Sequence, residues 1–91
     1  MLNLARIQER MTHLKEWSLE SNAIEKTIDF SSFKQAIDFI NKLAEIAEKH
    51  NHHPSLLLVH NTLRITLTTH KENSLTETDF EVAEEIDRIE V

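Results

Sequence analysis

The segment from Ser32 to Pro54 constrains the fold most strongly, because it encodes one long helix with a marked beginning and a marked end. Ser32 and Gln35 stand at the spacing of a capping box. Pro54, the only proline, disfavours a helical backbone at His53. Between these limits, apolar residues recur at helical spacing and form one stripe: Phe33, Ala36, Ile37, Ile40, Leu43, Ala44 and Ala47. The sequence therefore predicts a helix that stops just before two adjacent histidines.

Alternating residues on both sides of this helix predict strands. Residues 24 to 30 place Ile24, Ile28 and Phe30 on one face. Lys26 falls on the same face, so we expect it at the sheet edge or with its charge extended to water. Residues 62 to 69 alternate just as clearly, and a strand that continued one residue further would place His70 on its polar face. Shorter strands are predicted at 17–20 and 56–59, with a tight turn at 60–61 between the last two strands.

Helices are predicted at both ends of the chain. Apolar spacing favours a first helix over residues 2 to 15. Thr76 is a favourable cap for a last helix, with Asp79 at its third position and Leu75 and Phe80 as a hydrophobic staple. Two hairpins, each followed by a helix, predict an α+β fold in two layers. A four-stranded antiparallel sheet carries three helices on one face, and its other face is open.

The chain has no glycine, so turns that need a positive φ must use other residues. Asparagine, aspartate and histidine tolerate the left-handed region best. Asn22, Asn61 and Asn73 fall between periodic segments and are the candidate turn residues.

Size and charge limit the possible functions. With 91 residues, we expect one domain over residues 1–91, and self-association is plausible because a chain this short forms only a small core. The net charge of −6 and the lack of a basic face argue against direct binding of nucleic acid or anionic membranes. There is no cysteine, secretory signal pattern or membrane-span pattern, so we expect a cytoplasmic protein.

Histidines are the residues best suited to chemistry in this sequence, because imidazole exchanges protons near neutral pH. His52 and His53 adjoin Pro54, and His70 follows a predicted strand. Taken alone, an adjacent pair is more often two loop residues without a role. A metal site is a second interpretation, since His50, His52 and His53 lie close to Glu48. Their spacing matches no familiar zinc motif.

Other candidate residues have simpler explanations beside them. Glu48 could orient a histidine or bind a substrate N–H, yet a solvated glutamate on a helix is common. Asp79 is explained by capping alone. Thr68 and Thr69 offer hydroxyls, although threonine is frequent in strands for packing reasons. Trp17 and the four phenylalanines are expected in the core.

The segment from Glu48 to Asp79 resembles the pterin-4a-carbinolamine dehydratase family. That family's signature combines an acidic residue, a His-His-Pro triplet, a Thr-Leu-Thr-Thr-His strand end and an aspartate in the next helix. The matching residues here, at the same spacings, are Glu48, His52, His53, Pro54, His70 and Asp79. Weaker similarity extends back through residues 17 to 47.

This resemblance implies the same α+β fold and an activity: conversion of 4a-hydroxytetrahydrobiopterin to quinonoid dihydrobiopterin and water, in tetrahydrobiopterin recycling. It implies that His53 and His70 act around the leaving hydroxyl and His52 near the ring nitrogens. It also implies a homodimer or homotetramer, a pterin as the small-molecule partner, and no metal ion or bound cofactor. The residues it assigns to substrate binding are Glu48, Pro54, Thr68, Thr69 and Asp79.

The chain departs from the family pattern after Pro54. Aromatic residues usual there are replaced by Ser55-Leu56-Leu57-Leu58, and the aromatic before the hairpin turn is replaced by His60. Stacking on a flat pterin ring would weaken without them. A non-catalytic protein-binding or assembly scaffold on the same fold is therefore the alternative function. The three retained histidines favour the enzyme.

Overall fold

The computed structural model describes residues 2–90 and shows a four-stranded antiparallel sheet covered by three helices. The elements follow in the order α1 (Leu4–Met11), β1 (Ser18–Glu20), β2 (Ala23–Asp29), α2 (Phe33–His50), β3 (Ser55–Val59), β4 (Thr62–Leu67) and α3 (Glu77–Asp87). The strand order in the sheet is β1-β2-β4-β3. The α+β prediction is confirmed in element number, element order and strand direction.

The core lies between one face of the sheet and the helices. Ile24 of β2 and Leu63, Ile65 and Leu67 of β4 point into it and are completely buried. Their partners across the layer come from α2 and α3: Ala36, Phe39, Leu43, Phe80, Val82, Ala83 and Ile86. The Phe30 and Phe39 rings meet at a centroid distance of 5.1 Å. The sheet's other face is open, with Thr27, Leu57 and Arg64 exposed, so the period-two pattern identified the two faces correctly.

Helix α1 has no fully buried residue, and it is attached through the partly buried Ile7 and Met11 and through two arginines, of which Arg6 pairs with Glu77 at 2.9 Å. The Arg10 guanidinium contacts Glu77 at 2.5 Å and Glu84 at 3.0 Å, and it lies 5.6 Å from the centre of the Phe80 ring. This helix is shorter than the predicted span of 2 to 15. It ends at Met11, where the Thr12 hydroxyl donates to the Glu9 carbonyl.

The sequence located the turns correctly but not always the left-handed residue within them. Asn73 has a φ of 52°, as expected. Asn22 and Asn61 also lie in turns, yet the positive φ belongs to the residue before each, Ser21 at 60° and His60 at 57°. The side chain of Asn61 instead donates to the Phe30 carbonyl.

Two side chains are placed differently from expectation, and a third only in part. Lys26 lies at the sheet edge beyond the residues that pair with β1, as expected, but its ammonium pairs with Asp87 at 2.7 Å and does not extend to water. Phe33 is 57% exposed, whereas Trp17 and the other phenylalanines are buried. Gln35 accepts hydrogen bonds from Ser31, one residue earlier than a capping box requires, while Ser32 caps the Gln35 N–H as predicted.

Helices α2 and α3 are joined by Glu85. Its carboxylate accepts a hydrogen bond from the Lys49 ammonium at 2.6 Å and another from the His50 ring. These two hydrogen bonds hold the pKa of Glu85 below its ordinary value of 4.5, and the one from Lys49 has the larger effect.

In the described part of the chain, no helix is both long and apolar enough to cross a bilayer.

Replacement of Phe80 by alanine tests the core. The ring is fully buried, so Phe80→Ala should lower the free energy of unfolding by about 3–5 kcal/mol in urea denaturation. The matched control is Phe33→Ala, which removes a ring that is mostly exposed. Equal losses in the two variants would contradict this placement of the core.

The link at Glu85 predicts a pH dependence of stability. Folding lowers the pKa of Glu85. The contribution of this carboxylate to the free energy of unfolding is therefore fully present above pH 4.5 and is lost as the pH falls through the folded-state pKa. Glu85→Gln should therefore destabilise the protein at neutral pH and have a smaller effect at about pH 3, as measured by urea unfolding. Glu81→Gln, at an exposed position on the same helix, is the control and should change neither value. An effect of Glu85→Gln that is independent of pH would contradict the prediction.

Candidate active site

The histidine pair is positioned by the end of α2. Asn51 adopts a left-handed backbone, with φ 49° and ψ 44°, and ends the helix. The His52 N–H then donates back to the Ala47 carbonyl at 3.0 Å. This turn redirects the chain so that β3 begins at Ser55, immediately after Pro54. The helix end predicted from Pro54 is confirmed, and the left-handed Asn51 is the residue that produces it.

His52 is held by a buried carboxylate. Its Nε2 atom lies 2.5 Å from Oδ1 of Asp79, whose side chain is completely buried. The other oxygen, Oδ2, accepts hydrogen bonds from the Thr69 hydroxyl at 2.8 Å and from the Thr76 N–H at 2.9 Å. Asp79 therefore caps α3, as the sequence predicted, and also orients His52. One carboxylate connects the start of α3, the end of β4 and the turn after α2.

The carboxylate determines which nitrogen of His52 carries the hydrogen. A carboxylate can only accept, so the ring nitrogen facing it, Nε2, is the donor. In the neutral ring, Nδ1 is then the nitrogen with a free lone pair. A histidine ordered in this way has a fixed ring plane and a fixed tautomer, which acid–base catalysis requires.

His53 has a carboxylate partner of a different kind. Its Nε2 contacts Oε2 of Glu48, five residues earlier on α2. Both side chains are exposed, at 55% for His53 and 75% for Glu48. The suggestion that Glu48 could orient a histidine fits this contact. The two adjacent histidines thus differ: His52 is locked in place at the protein interior, and His53 is held loosely at the surface.

The third histidine lies in a loop, and this corrects the expectation that it ends a strand. Strand β4 stops at Leu67, because the Thr68 hydroxyl donates to the Asn22 carbonyl and Thr69 bridges to Ser74. His70 follows in the resulting turn and is exposed. Its neighbour Thr69 donates to Asp79, the residue that holds His52. The structure therefore brings the side chain of Thr69, the residue before His70, to the same carboxylate as the first histidine.

Three neighbouring histidines go to three different carboxylates. His50 pairs with Glu85, His52 with Asp79 and His53 with Glu48. Over residues 2–90, no group of three or more histidine, cysteine, aspartate or glutamate side chains is arranged to hold a metal ion. The histidines whose clustering in sequence suggested a metal site thus each contact a separate carboxylate.

Two features of this region were missed by sequence reasoning. The left-handed Asn51 could have been found, because an asparagine directly after a long helix is a known way to end it. The pairing of His50 with Glu85 had no local signal, since 35 residues separate the two along the chain.

Comparison with known proteins identifies the family of this chain. A family model described as pterin 4 alpha carbinolamine dehydratase matches residues 1–89. A protein of Sulfurisphaera tokodaii named "Putative pterin-4-alpha-carbinolamine dehydratase" is 42% identical over 83 residues, covering 91% of this chain and 89% of that protein. A protein of the same name from Nostoc punctiforme is 43% identical over 89 residues, covering 98% and 96%.

Solved structures share the fold. A structure described as a transcriptional coactivator/pterin dehydratase from Brucella melitensis superposes with a TM-score of 0.89 at 32% identity, covering 93% of both chains. A pterin dehydratase-like protein described as a RuBisCO assembly factor in the alpha-carboxysome superposes with a TM-score of 0.67 over 82% of this chain and 89% of that one. Its identity of 23% shows the shared fold alone. The match of the family model and the relatives above 40% identity together show that this chain belongs to the pterin-4a-carbinolamine dehydratase family.

Proposed function

We propose that this protein is a hydro-lyase that converts 4a-hydroxytetrahydrobiopterin to quinonoid dihydrobiopterin and water in tetrahydrobiopterin recycling. The observation that carries the proposal is the ordered His52, whose Nε2 is bound by the buried carboxylate of Asp79. A protein that acted only as a scaffold would have no need for a histidine fixed in one tautomer. Family membership supplies the substrate class.

The proposed reaction needs an acid and a base. The C4a–O bond breaks, the departing hydroxide takes up a proton, and N5 of the pterin loses a proton as the C4a=N5 bond forms. We assign His53 and His70, both exposed, to the departing hydroxyl. His52, whose free Nδ1 can accept a proton, is assigned to the ring nitrogens. Glu48 positions His53 through their direct contact.

The remaining candidate residues act mainly as supports in this proposal. Both oxygens of Asp79 are occupied and its side chain is buried, so we propose that it acts through His52 without touching the pterin. The hydroxyl hydrogens of Thr68 and Thr69 are donated to Asn22 and Asp79. The Thr69 oxygen then accepts from the Thr76 hydroxyl at 2.8 Å, so we assign the contact with the substrate mainly to the Thr68 oxygen. Pro54 fixes the direction of the backbone after the histidine pair.

A second candidate function is a protein-binding or assembly scaffold. The exposed apolar side chains of edge strand β3 favour it, because Leu56, Leu57 and Val59 are 39%, 50% and 54% exposed. A free, apolar edge strand is a typical association surface. The family resemblance implies aromatic residues at the positions of Leu56 and Leu57, so the replacements expected to weaken pterin stacking also contribute to this surface.

We propose that the β3 surface joins copies of this chain into a homodimer or homotetramer. It consists of Leu57 and Val59 on the open face of the sheet and of Leu56 at the same edge on the opposite face. The row of unpaired backbone groups at this edge and its apolar side chains would both be covered by the same edge of a second copy. An oligomer of this kind is compatible with either function.

The catalytic assignment predicts the effect of removing two histidines. The enzyme-catalysed rate of carbinolamine dehydration is the measured rate minus the uncatalysed rate. His53→Ala combined with His70→Ala should lower this rate by about 10²–10⁴-fold, the usual contribution of general acid–base groups. The rate is measured by stopped-flow absorbance with 4a-hydroxytetrahydrobiopterin generated in situ. His13→Ala, at an exposed position next to α1, is the control and should retain full activity. Full activity in the double variant would contradict the assignment, and no activity in the unmodified protein would favour the scaffold.

The β3 surface predicts the oligomeric state. Leu57→Lys combined with Val59→Lys places two like charges on the proposed contact and should yield a monomer in size-exclusion chromatography with light scattering. Leu4→Lys introduces the same kind of charge at a leucine that is 60% exposed on α1, and it should leave the oligomer intact. An unmodified protein that is already monomeric, or an oligomer that survives the double substitution, would contradict the proposed contact.

A further inference from the structure

Strand β2 has a free edge over its second half. It spans seven residues, whereas its neighbour β1 spans only three and pairs only with Ala23 to Glu25. Just before β1, Glu16 has a φ of 63°, a left-handed backbone that does not continue an extended strand. Within residues 2–90, no strand therefore pairs with residues 26 to 29 on this side.

The register shows which backbone groups are free at this edge. The Phe30 N–H donates to the Asn61 carbonyl at 2.8 Å, and Phe30 follows the pair Asp29 and Thr62. Because hydrogen-bonded and non-hydrogen-bonded pairs alternate in an antiparallel ladder, Thr27 and Asp29 point their N–H and C=O groups away from β4. Four backbone groups thus face outward from the sheet with the spacing of a strand.

A cavity of about 420 Å³ runs beside this edge. Its apolar lining comes from both layers of the protein: Ile28 of β2, Phe39 of α2, Ile86 of α3, and Ile89. It lies at β2, whereas the histidine pair follows α2, so it belongs to a different part of the fold. A chain laid along β2 could therefore place an apolar side chain into this cavity.

The charges around the cavity favour a basic partner. Lys26 and Asp87 neutralise each other at 2.7 Å, and Asp87 also accepts from the Trp17 ring N–H. The remaining charged groups of the cavity lining are the exposed carboxylates of Glu16 and Asp29. Two copies of this chain joined here would bring these like charges together, so a second copy is disfavoured.

We propose that the free edge of β2 binds an extended segment of another protein by strand addition, with an apolar residue of that segment in the cavity and basic residues on either side. Addition of a strand to an open edge is an established way to recognise a peptide. Successive side chains of a strand alternate between the two faces of a sheet. In a segment that alternates apolar and basic residues, the apolar side chains would face the cavity, and the basic side chains would lie on the open face that carries Asp29. The proposal is independent of the dehydratase activity.

The test uses an acetylated and amidated heptapeptide of alternating valine and lysine, titrated into the ¹⁵N-labelled protein and followed by NMR. We expect the Thr27 and Asp29 amides to shift and to become protected from hydrogen exchange. A peptide with the same residues but N-methylated on the backbone amides that face β2 should bind at least tenfold more weakly, because it cannot form the ladder. A peptide of alternating valine and glutamate should also bind at least tenfold more weakly.

Matched variants test the charge. Glu16→Lys combined with Asp29→Lys should reverse the preference between the lysine and glutamate peptides, whereas Glu45→Lys, on the exposed side of α2, should not. Circular dichroism checks that each variant is folded. The proposal is overturned if N-methylation leaves affinity unchanged, if the shifted amides lie elsewhere, or if the Thr27 and Asp29 amides are already protected in the free protein.

Discussion

The buried carboxylate of Asp79 is the interaction on which the rest of the site depends. An ionised group without solvent costs several kcal/mol unless it is fully hydrogen-bonded. Here the Thr69 hydroxyl, the Thr76 N–H and the His52 ring supply those bonds. The three partners come from three different parts of the chain, so satisfying one carboxylate fixes their relative positions. The same carboxylate therefore caps helix α3 and orients the His52 ring.

A gradient of order runs through the histidines near this carboxylate. His52 contacts a buried carboxylate, His53 contacts an exposed glutamate near the end of the preceding helix, and His70 follows Thr69, whose hydroxyl donates to the buried carboxylate. The first histidine therefore has its ring position set by folding, while the other two retain side-chain freedom. A substrate that bound here would order His53 and His70 on arrival, at the cost of their rotamer entropy.

Local chemistry accounts for what the sequence predicted. The span from Ser32 to Pro54 contains a capping residue, apolar residues at helical spacing and a proline that ends the helix. The helix lies where these signals predicted it. Period-two alternation in β4 identified which face is buried. Pairings between distant residues had no such signal: nothing local indicates that Lys26 meets Asp87 or that His50 meets Glu85. The end of β4 was misjudged for a related reason, since the hydroxyl of Thr68 finds its acceptor 46 residues away at Asn22.

Five of the residues between 2 and 90 have a positive φ, and they bear on how the molecule can move. Glycine would adopt these conformations freely, whereas each non-glycine residue is held there at a cost of roughly 1–2 kcal/mol by the surrounding structure. Turns of this kind are narrow energy wells, and Asn51 stands directly before the histidine pair. The loop next to the histidines therefore lacks a pliable hinge, and we expect recognition there to rely on a preformed surface, with little closure around the bound molecule.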